Sequence, residues 1–189
     1  MSQKRIITNI ADNSVTVRLR GVRLSFPSLF KPRAFQEGQE PKFSATFIMP
    51  KKGDVEENTK LMEEAVKEVI KMAFKGRSPG DDKLCFRDGA SKPDVDGYGD
   101  EIKFVSSNSS KRVPVVDRDL TVLAEEDAKP YAGCFVNATI RLWAQDNKYG
   151  KRVNAQLRAV QFVRDGEAFG DSSVKPEDEF QAETGGDML

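Results

Sequence analysis

The sequence predicts a mainly β domain with one or two helices, in which five or six strands close into a small barrel, followed by a disordered acidic tail. Apolar and polar residues alternate in several short runs, as expected for strands that bury one face. A single run has helical spacing, and no strand–helix–strand repeat occurs, which favours a barrel over a parallel sheet. A chain of 189 residues is long enough for one such domain with tails.

The first ordered element is predicted to be a long, bent strand over residues 14–27. Residues 1–13 before it show no clear period and are expected to form a flexible arm. Within the strand, the apolar alternation slips by one position after Gly21, which indicates a β-bulge. Such a bulge lets a strand curl around a small barrel, and Pro27 is predicted to end it.

A second alternating strand over residues 43–49 is followed by one amphipathic helix. Asp54 is placed to cap the first turn of this helix, and Gly76 is placed to end it. Between Leu61 and Phe74 the apolar residues recur at spacings of three and four, which predicts a helix that covers the sheet.

Weaker strand signals follow at residues 84–86 and 102–105, on either side of a Gly-, Asp- and Pro-rich loop that carries Tyr98. The serine-rich stretch 106–110 is expected to be flexible, and a short apolar run follows it at residues 113–116.

The final hairpin is predicted from strands 135–145 and 151–164, joined by the five-residue connection 146–150. One face is aliphatic in both strands, and in the second strand it is predicted to run from Val153 to Ala159. The other face combines polar, basic and aromatic side chains: Phe135, Asn137, Thr139, Arg141, Trp143, Arg152, Asn154, Gln156 and Arg158.

Single-stranded nucleic acid requires this mixture, because cations follow the phosphates while flat side chains stack on unpaired bases. An ordinary solvated sheet face, with Trp143 packed against a loop, is the alternative interpretation. Further cations occur on the first strand, among them Arg23, and just after it, where Arg33 lies near Phe35.

The formal net charge of zero conceals two opposite segments. Residues 165–189 contain eight acidic residues and one lysine, a net charge of −7, whereas residues 1–164 contain 29 basic and 22 acidic residues, a net charge of +7. This match favours a tail that folds back on a site for a polyanion. A tail that only aids solubility is the alternative.

Several classes of function are disfavoured by composition. The chain contains no histidine, which excludes catalytic triads and His-containing metal sites. Cys85 and Cys134 lie in apolar, strand-like sequence and are expected to be buried thiols rather than a disulfide. No apolar run has the length of a membrane helix, and the polar N-terminus lacks the apolar core of a secretion signal, so we expect a cytoplasmic protein without membrane contact.

An enzyme would have to use carboxylates, as in a metal-dependent nuclease. The carboxylates available to bind magnesium are Asp94, Asp96, Asp100, Glu101, Asp117 and Asp119. They lie in glycine-rich or turn segments where acidic residues are usual, and no glycine-rich phosphate-binding motif occurs. We therefore expect a protein that is not an enzyme and needs no cofactor, with a nuclease or a virion or scaffold protein as the alternatives.

Four stretches resemble the single-stranded DNA-binding proteins of certain tailed bacteriophages, a family first catalogued as a domain of unknown function. They are RLSFP at residues 23–27, KFSATFIMPK at 42–51, SSNSSKRVPVVDRD at 106–119, and residues 131–167. The resemblance implies an oligonucleotide-binding (OB) type barrel, here residues 14–170, that coats single strands during phage replication or recombination in the host cytoplasm. It also implies that the acidic tail, residues 171–189, guards the groove and contacts other replication proteins.

Together these arguments predict non-sequence-specific binding of single-stranded DNA by a monomer or dimer. The predicted groove contains Trp143, Arg141, Arg152 and Arg158. The predicted phosphate contacts are Lys111, Arg112 and Lys148, and the further stacking residues are Phe26, Tyr98 and Tyr149. The predicted regulatory and partner-binding residues of the tail are Glu177, Asp178, Glu179, Phe180, Glu183 and Asp187.

Overall fold

The computed structural model describes residues 3–52 and 56–170. The predicted helix cap Asp54 and the predicted tail, residues 171–189, lie outside these residues. The described elements are β1 (Ile6–Asn9), β2 (Ser14–Arg33), β3 (Lys42–Pro50), α1 (Glu56–Phe74), β4 (Phe86–Asp88), β5 (Ile102–Ser109), β6 (Val115–Val116), β7 (Phe135–Asn147) and β8 (Gly150–Arg164).

Five of these strands close a barrel. β2 pairs with β3, β3 with β5, β8 with β7 and β7 with β2, all antiparallel. The closing contact is a parallel pairing of β5 with β8, in which Asn108 lies opposite Gln156. Five strands paired in this order form the OB barrel, so the predicted fold class is confirmed. β1, β4 and β6 extend the sheet by pairing with β2, β5 and β8 respectively.

The bent first strand forms as predicted but is longer at its C-terminal end. Gly21 has a φ of +64°, and the pairing of β2 with β7 shifts register there, which confirms the bulge. β2 continues past Pro27 to Arg33. Pro27 has no N–H to donate, and two further register shifts against β3 accommodate it within the strand. In the segment predicted as a flexible arm, Ile6–Asn9 forms β1 and pairs with β2.

Two further differences concern the later strands. β5 runs through the serine-rich stretch predicted to be flexible, because buried hydroxyls are satisfied within the sheet; Ser107 Oγ donates to the Ala45 carbonyl oxygen at 2.8 Å. The final hairpin turns over two residues rather than five, since Asn147 pairs with Gly150.

A bulge in β8 changes the faces predicted for the hairpin. Thr139 pairs with Ala159 and Ile140 with Leu157, so Arg158 has no partner in the ladder. Ala159 therefore lies on the polar face, and the prediction that it ends the aliphatic face is wrong. The aliphatic face resumes at Val160, which is 1% exposed.

The barrel interior and the inner face of α1 form one hydrophobic core. Asn58 on α1 fixes the helix to the bulge in β2: its side chain accepts from the Arg20 amide at 3.0 Å and donates to the Arg20 carbonyl at 2.8 Å. Cys85 and Cys134 carry free thiols. Among the described residues, no helix is long and apolar enough to cross a membrane.

Candidate nucleic-acid interface

A row of polar residues crosses the outer surface of the barrel, one from each of its five strands. Reading across the sheet, Ser44 pairs with Asn108, Asn108 with Gln156, Gln156 with Arg141, and Arg141 with Thr16. Each pair consists of directly opposed residues, whose side chains project to the same side of a sheet. The row therefore forms a continuous polar track perpendicular to the strands.

A depression of about 430 Å³, the aromatic pocket, lies at the β3 end of this track. Phe26 and Phe35 line it and are 58% and 69% exposed, which is far more than a core aromatic residue allows. Its remaining lining is mainly polar: Ser28, Arg33, Ser44, Thr46, Lys92, Ser106, Ser107 and Asn108, with Pro27 and Ala34. Exposed rings above a polar floor suit a planar, polar-edged ligand such as a nucleobase.

Lys92 and Tyr98 shape the side of the aromatic pocket. Lys92 Nζ lies 5.1, 5.6 and 5.9 Å from the ring centroids of Phe104, Tyr98 and Phe26, so the cation faces three rings. Desolvation by burial lowers the pKa of Lys92. Burial raises the pKa of Tyr98, whose hydroxyl donates to Ser25 Oγ at 3.0 Å and thereby fixes the ring beside Phe26.

A second depression of about 240 Å³, the tryptophan pocket, lies further along the track. Its lining residues are Lys42, Asn108, Ser109, Ser110, Arg141, Trp143 and Gln156. Asn108 lines both pockets, so the two are adjacent. Trp143 is half-buried, so part of its side chain is accessible to a ligand.

Arg141 is not free in this pocket, because Asp12 holds its guanidinium at 2.8 Å. Asp12 belongs to the turn between β1 and β2. The hydroxyl of Ser14 and then Arg141 lower the pKa of the Asp12 carboxyl by hydrogen bonding to it. An anionic ligand that binds Arg141 therefore has to compete with a carboxylate of the same chain.

The β7–β8 turn projects beyond the tryptophan pocket and carries two predicted site residues at its tip. Tyr149 is 72% exposed, and Lys148 Nζ lies 5.1 Å from its ring centroid. Arg152 lies opposite Gln145, one pair beyond Trp143 and Asn154 on the same face. These residues continue the track past the edge of the barrel.

Other predicted residues lie away from the two pockets. Arg112 lines a separate cleft with Val122, and Lys111 is exposed in the loop after β5. Arg158 is exposed at the bulge in β8 and lines neither pocket. The predicted tail residues Glu177, Asp178, Glu179, Phe180, Glu183 and Asp187 lie outside the described residues.

The far end of the hairpin face is closed by its own side chains. The guanidinium carbons of Arg164 and Arg23 lie 3.8 and 6.0 Å from the centroid of the Phe135 ring. Arg23 also stacks on Phe169 at 3.9 Å and donates to the Glu167 carbonyl at 2.6 Å. Phe135 and Arg23 therefore anchor the segment after β8 rather than presenting a free surface.

Sequence reasoning did not place several pocket residues in the site, among them Phe35, Lys42, Lys92 and Asn108. A signal that could have pointed to this surface is the set of small polar side chains at outward positions of the paired strands β3 and β5: Ser44, Thr46, Ser106 and Asn108.

Two carboxylates of the nuclease alternative, Asp117 and Asp119, have local partners. Asp117 pairs with Lys129 at 2.8 Å, and Asp119 accepts from the Thr121 amide at 3.0 Å. Hydrogen bonds from these partners lower the pKa values of both carboxyls. Within residues 3–52 and 56–170, no group of three or more Cys, Asp or Glu side chains is arranged to hold a metal ion.

Comparison with known proteins gives consistent matches. The family model described as "Enterobacter phage Enc34, ssDNA-binding protein" matches residues 15–189. The solved structure of the single-stranded DNA-binding protein from bacteriophage Enc34 in complex with ssDNA is 31% identical, with a TM-score of 0.73 over 90% of this chain and 96% of that chain. A second solved structure of the single-stranded DNA-binding protein from bacteriophage Enc34 is 29% identical, with a TM-score of 0.70 over 96% of this chain and 97% of that chain.

A curated relative extends the comparison to another phage. The putative protein p50 of Acyrthosiphon pisum secondary endosymbiont phage 1 is 37% identical over an alignment of 176 residues, and the match covers 87% of this chain and 91% of the relative.

Proposed function

Because the chain belongs to the family of the Enterobacter phage Enc34 single-stranded DNA-binding protein, as the resemblance in its sequence predicted, we infer that it binds single-stranded DNA on the outer surface of its barrel. The observation that carries this conclusion is the continuous track from the aromatic pocket through the tryptophan pocket to the β7–β8 turn. It combines exposed rings, cations and polar groups on one side of the barrel.

The chemistry of the track suits unpaired DNA of any sequence. Phe26, Phe35 and Trp143 offer ring faces, and every base has a π-face on which to stack. Lys42, Lys92 and Arg141 supply positive charge for the phosphates. A duplex keeps its bases stacked inside, so no base face is accessible to these rings. Selectivity for single strands follows.

Fluorescence anisotropy with labelled oligo-dT and a duplex of equal length tests this assignment. We expect tighter binding to the single strand and a steep loss of affinity with salt, because neutralised phosphates release condensed counterions. Lys42→Gln should reduce the slope of log K against log salt by about 0.7. Lys67→Gln, on the exposed face of α1, is the control with the same charge change. Equal affinity for duplex and single strand would overturn the assignment.

The acidic tail is proposed to compete with DNA for the track, and two observations support this. The last described residues are fixed near the aromatic pocket: the Phe169 ring packs against Gly97, which precedes Tyr98, and the Phe169 amide donates to the Ala132 carbonyl at 3.0 Å. The 19 residues after Gly170 carry a net charge of −5. Fully extended they would span at most about 65 Å, which is enough to cross a small barrel.

The biological role proposed for this activity is the coating of single strands during phage replication or recombination, in the host cytoplasm. Contacts of the tail with replication proteins belong to the same proposal. Binding and release of DNA require no bond to be made or broken, so we propose a protein that acts without catalysis or a cofactor.

A further inference from the structure

A third depression, of about 380 Å³, lies on the other side of the β7–β8 hairpin from the tryptophan pocket. It is lined by Ala73, Phe74, Lys75, Arg77 and Lys151, and we call it the basic cleft. Lys75 and Arg77 follow the C-terminal end of α1, and Lys151 is the second residue of β8. Lys151 Nζ lies 5.6 Å from the ring centroid of Phe74, so the hairpin and the end of the helix are in contact.

The basic cleft carries three positively charged side chains, those of Lys75, Arg77 and Lys151. In the part of the chain that the structure describes, none of Lys75, Arg77 and Lys151 forms an ion pair; Asp146 lies opposite Lys151 in the ladder without reaching it. The C-terminal end of a helix carries only about half a negative charge, which is too little to balance three cations. The cleft therefore attracts an anion.

The position of the cleft indicates which anion. Side chains alternate along a strand, so Lys151 projects to the inner side with Val153, whereas Arg152 projects to the outer side with Asn154. The hairpin thus carries cations on both faces, close to the turn formed by Lys148 and Tyr149. Single-stranded DNA that leaves the tryptophan pocket and bends around this turn reaches the basic cleft.

We propose that the basic cleft binds the phosphodiester backbone of single-stranded DNA as it leaves the track and bends around the hairpin tip. This inference rests on the proposed function and extends the DNA path to a second face of the domain. Lys75, Arg77 and Lys151 contact phosphates there. The Phe74 ring is only 4% exposed and cannot stack on a base, so this segment is held by charge alone.

The test compares oligo-dT lengths from about 4 to about 16 nucleotides, the range that single OB barrels occupy. The variant Lys75→Gln/Arg77→Gln/Lys151→Gln should bind the shortest oligonucleotides like the wild type and lose affinity only above a threshold length. With three phosphate contacts, a fourfold rise in salt should weaken wild-type binding to the longest oligonucleotide about 20-fold more than it weakens binding by the variant.

The control Lys4→Gln/Lys67→Gln/Arg118→Gln removes the same charge from three exposed positions outside the cleft. A variant that matches the wild type at every length, or that loses affinity equally at every length, overturns the cleft as a DNA contact and leaves the proposed function intact. Absence of wild-type binding to any oligo-dT instead overturns the proposed function. Thermal unfolding of all three proteins establishes that they are equally folded.

Discussion

Replacing Phe35 by alanine tests the aromatic pocket with little disturbance of the fold. The side chain is 69% exposed, so only about a third of its surface is buried in the free protein. Full burial of a phenylalanine contributes about 1.5–3 kcal/mol, so the substitution should cost about 0.5–1 kcal/mol of folding stability. For a domain of this size, that corresponds to a fall in Tm of about 1–4 °C.

The expected effect on DNA binding is larger than the effect on stability. A base stacked on an aromatic side chain contributes about 1–3 kcal/mol. Since about 1.4 kcal/mol is a factor of ten in affinity, Phe35→Ala should weaken binding to oligo-dT about 5- to 140-fold. Phe35→Trp, which keeps a flat ring, should restore most of the affinity.

Anisotropy titration at fixed salt measures these affinities, with Val122→Ala as the matched control. Val122 is 78% exposed and lines the separate cleft with Arg112, so its truncation removes apolar surface outside the track. Wild-type affinity for Phe35→Ala would refute the assignment of the pocket. An equal loss in Val122→Ala would show that surface hydrophobicity, rather than stacking, supports binding.

Four further predictions concern Asp12, the tail and the thiols. Asp12→Asn should tighten oligo-dT binding severalfold more than the equal charge change Asp119→Asn, because it releases Arg141; equal effects would contradict the competition. The pKa of Asp12 is lowered, so in an NMR titration its carboxyl should stay ionised until the pH falls below its ordinary range, and the stability from its pairing should be lost only there; a midpoint at the ordinary pKa would count against the ion pair. Deleting residues 171–189 should tighten binding at low salt and much less at high salt, and unchanged affinity would argue against a tail that competes with DNA. Burial raises the pKa values of the two cysteine thiols to about 12 and about 11, so neither should react rapidly with a thiol reagent at pH 8, and immediate labelling would show that the barrel is open there.

The parts of the fold predicted well are those in which a local pattern and a tertiary requirement agree. The bulge at Gly21 is visible as a phase slip, and the barrel needs a bend at that point. The parts predicted poorly depend on partners distant in sequence. The serines of β5 look like a flexible linker until Ala45 supplies the acceptor for Ser107, and Pro27 lies within a strand because register shifts against β3 accommodate it.

The candidate site shows the same division. Arg141 and Trp143 share a hairpin face, so their proximity could be predicted from alternation alone. Phe35 and Lys92 come from loops separated by more than 50 residues and meet only because the barrel closes. Phe135 satisfied the same alternation, yet Arg23 and Arg164 cover its ring, since periodicity gives the face of a side chain but not what lies on it.

Photochemical crosslinking of the full chain to oligo-dT, with the attached peptides identified by mass spectrometry, tests the DNA path most directly. The track predicts crosslinked peptides that contain Phe26 or Phe35, and others that contain Trp143 or Tyr149, all lost when excess unlabelled single strand competes. Crosslinks confined to the exposed face of α1 or to the loop carrying Val122 would place DNA elsewhere on the molecule and contradict the path derived from the barrel.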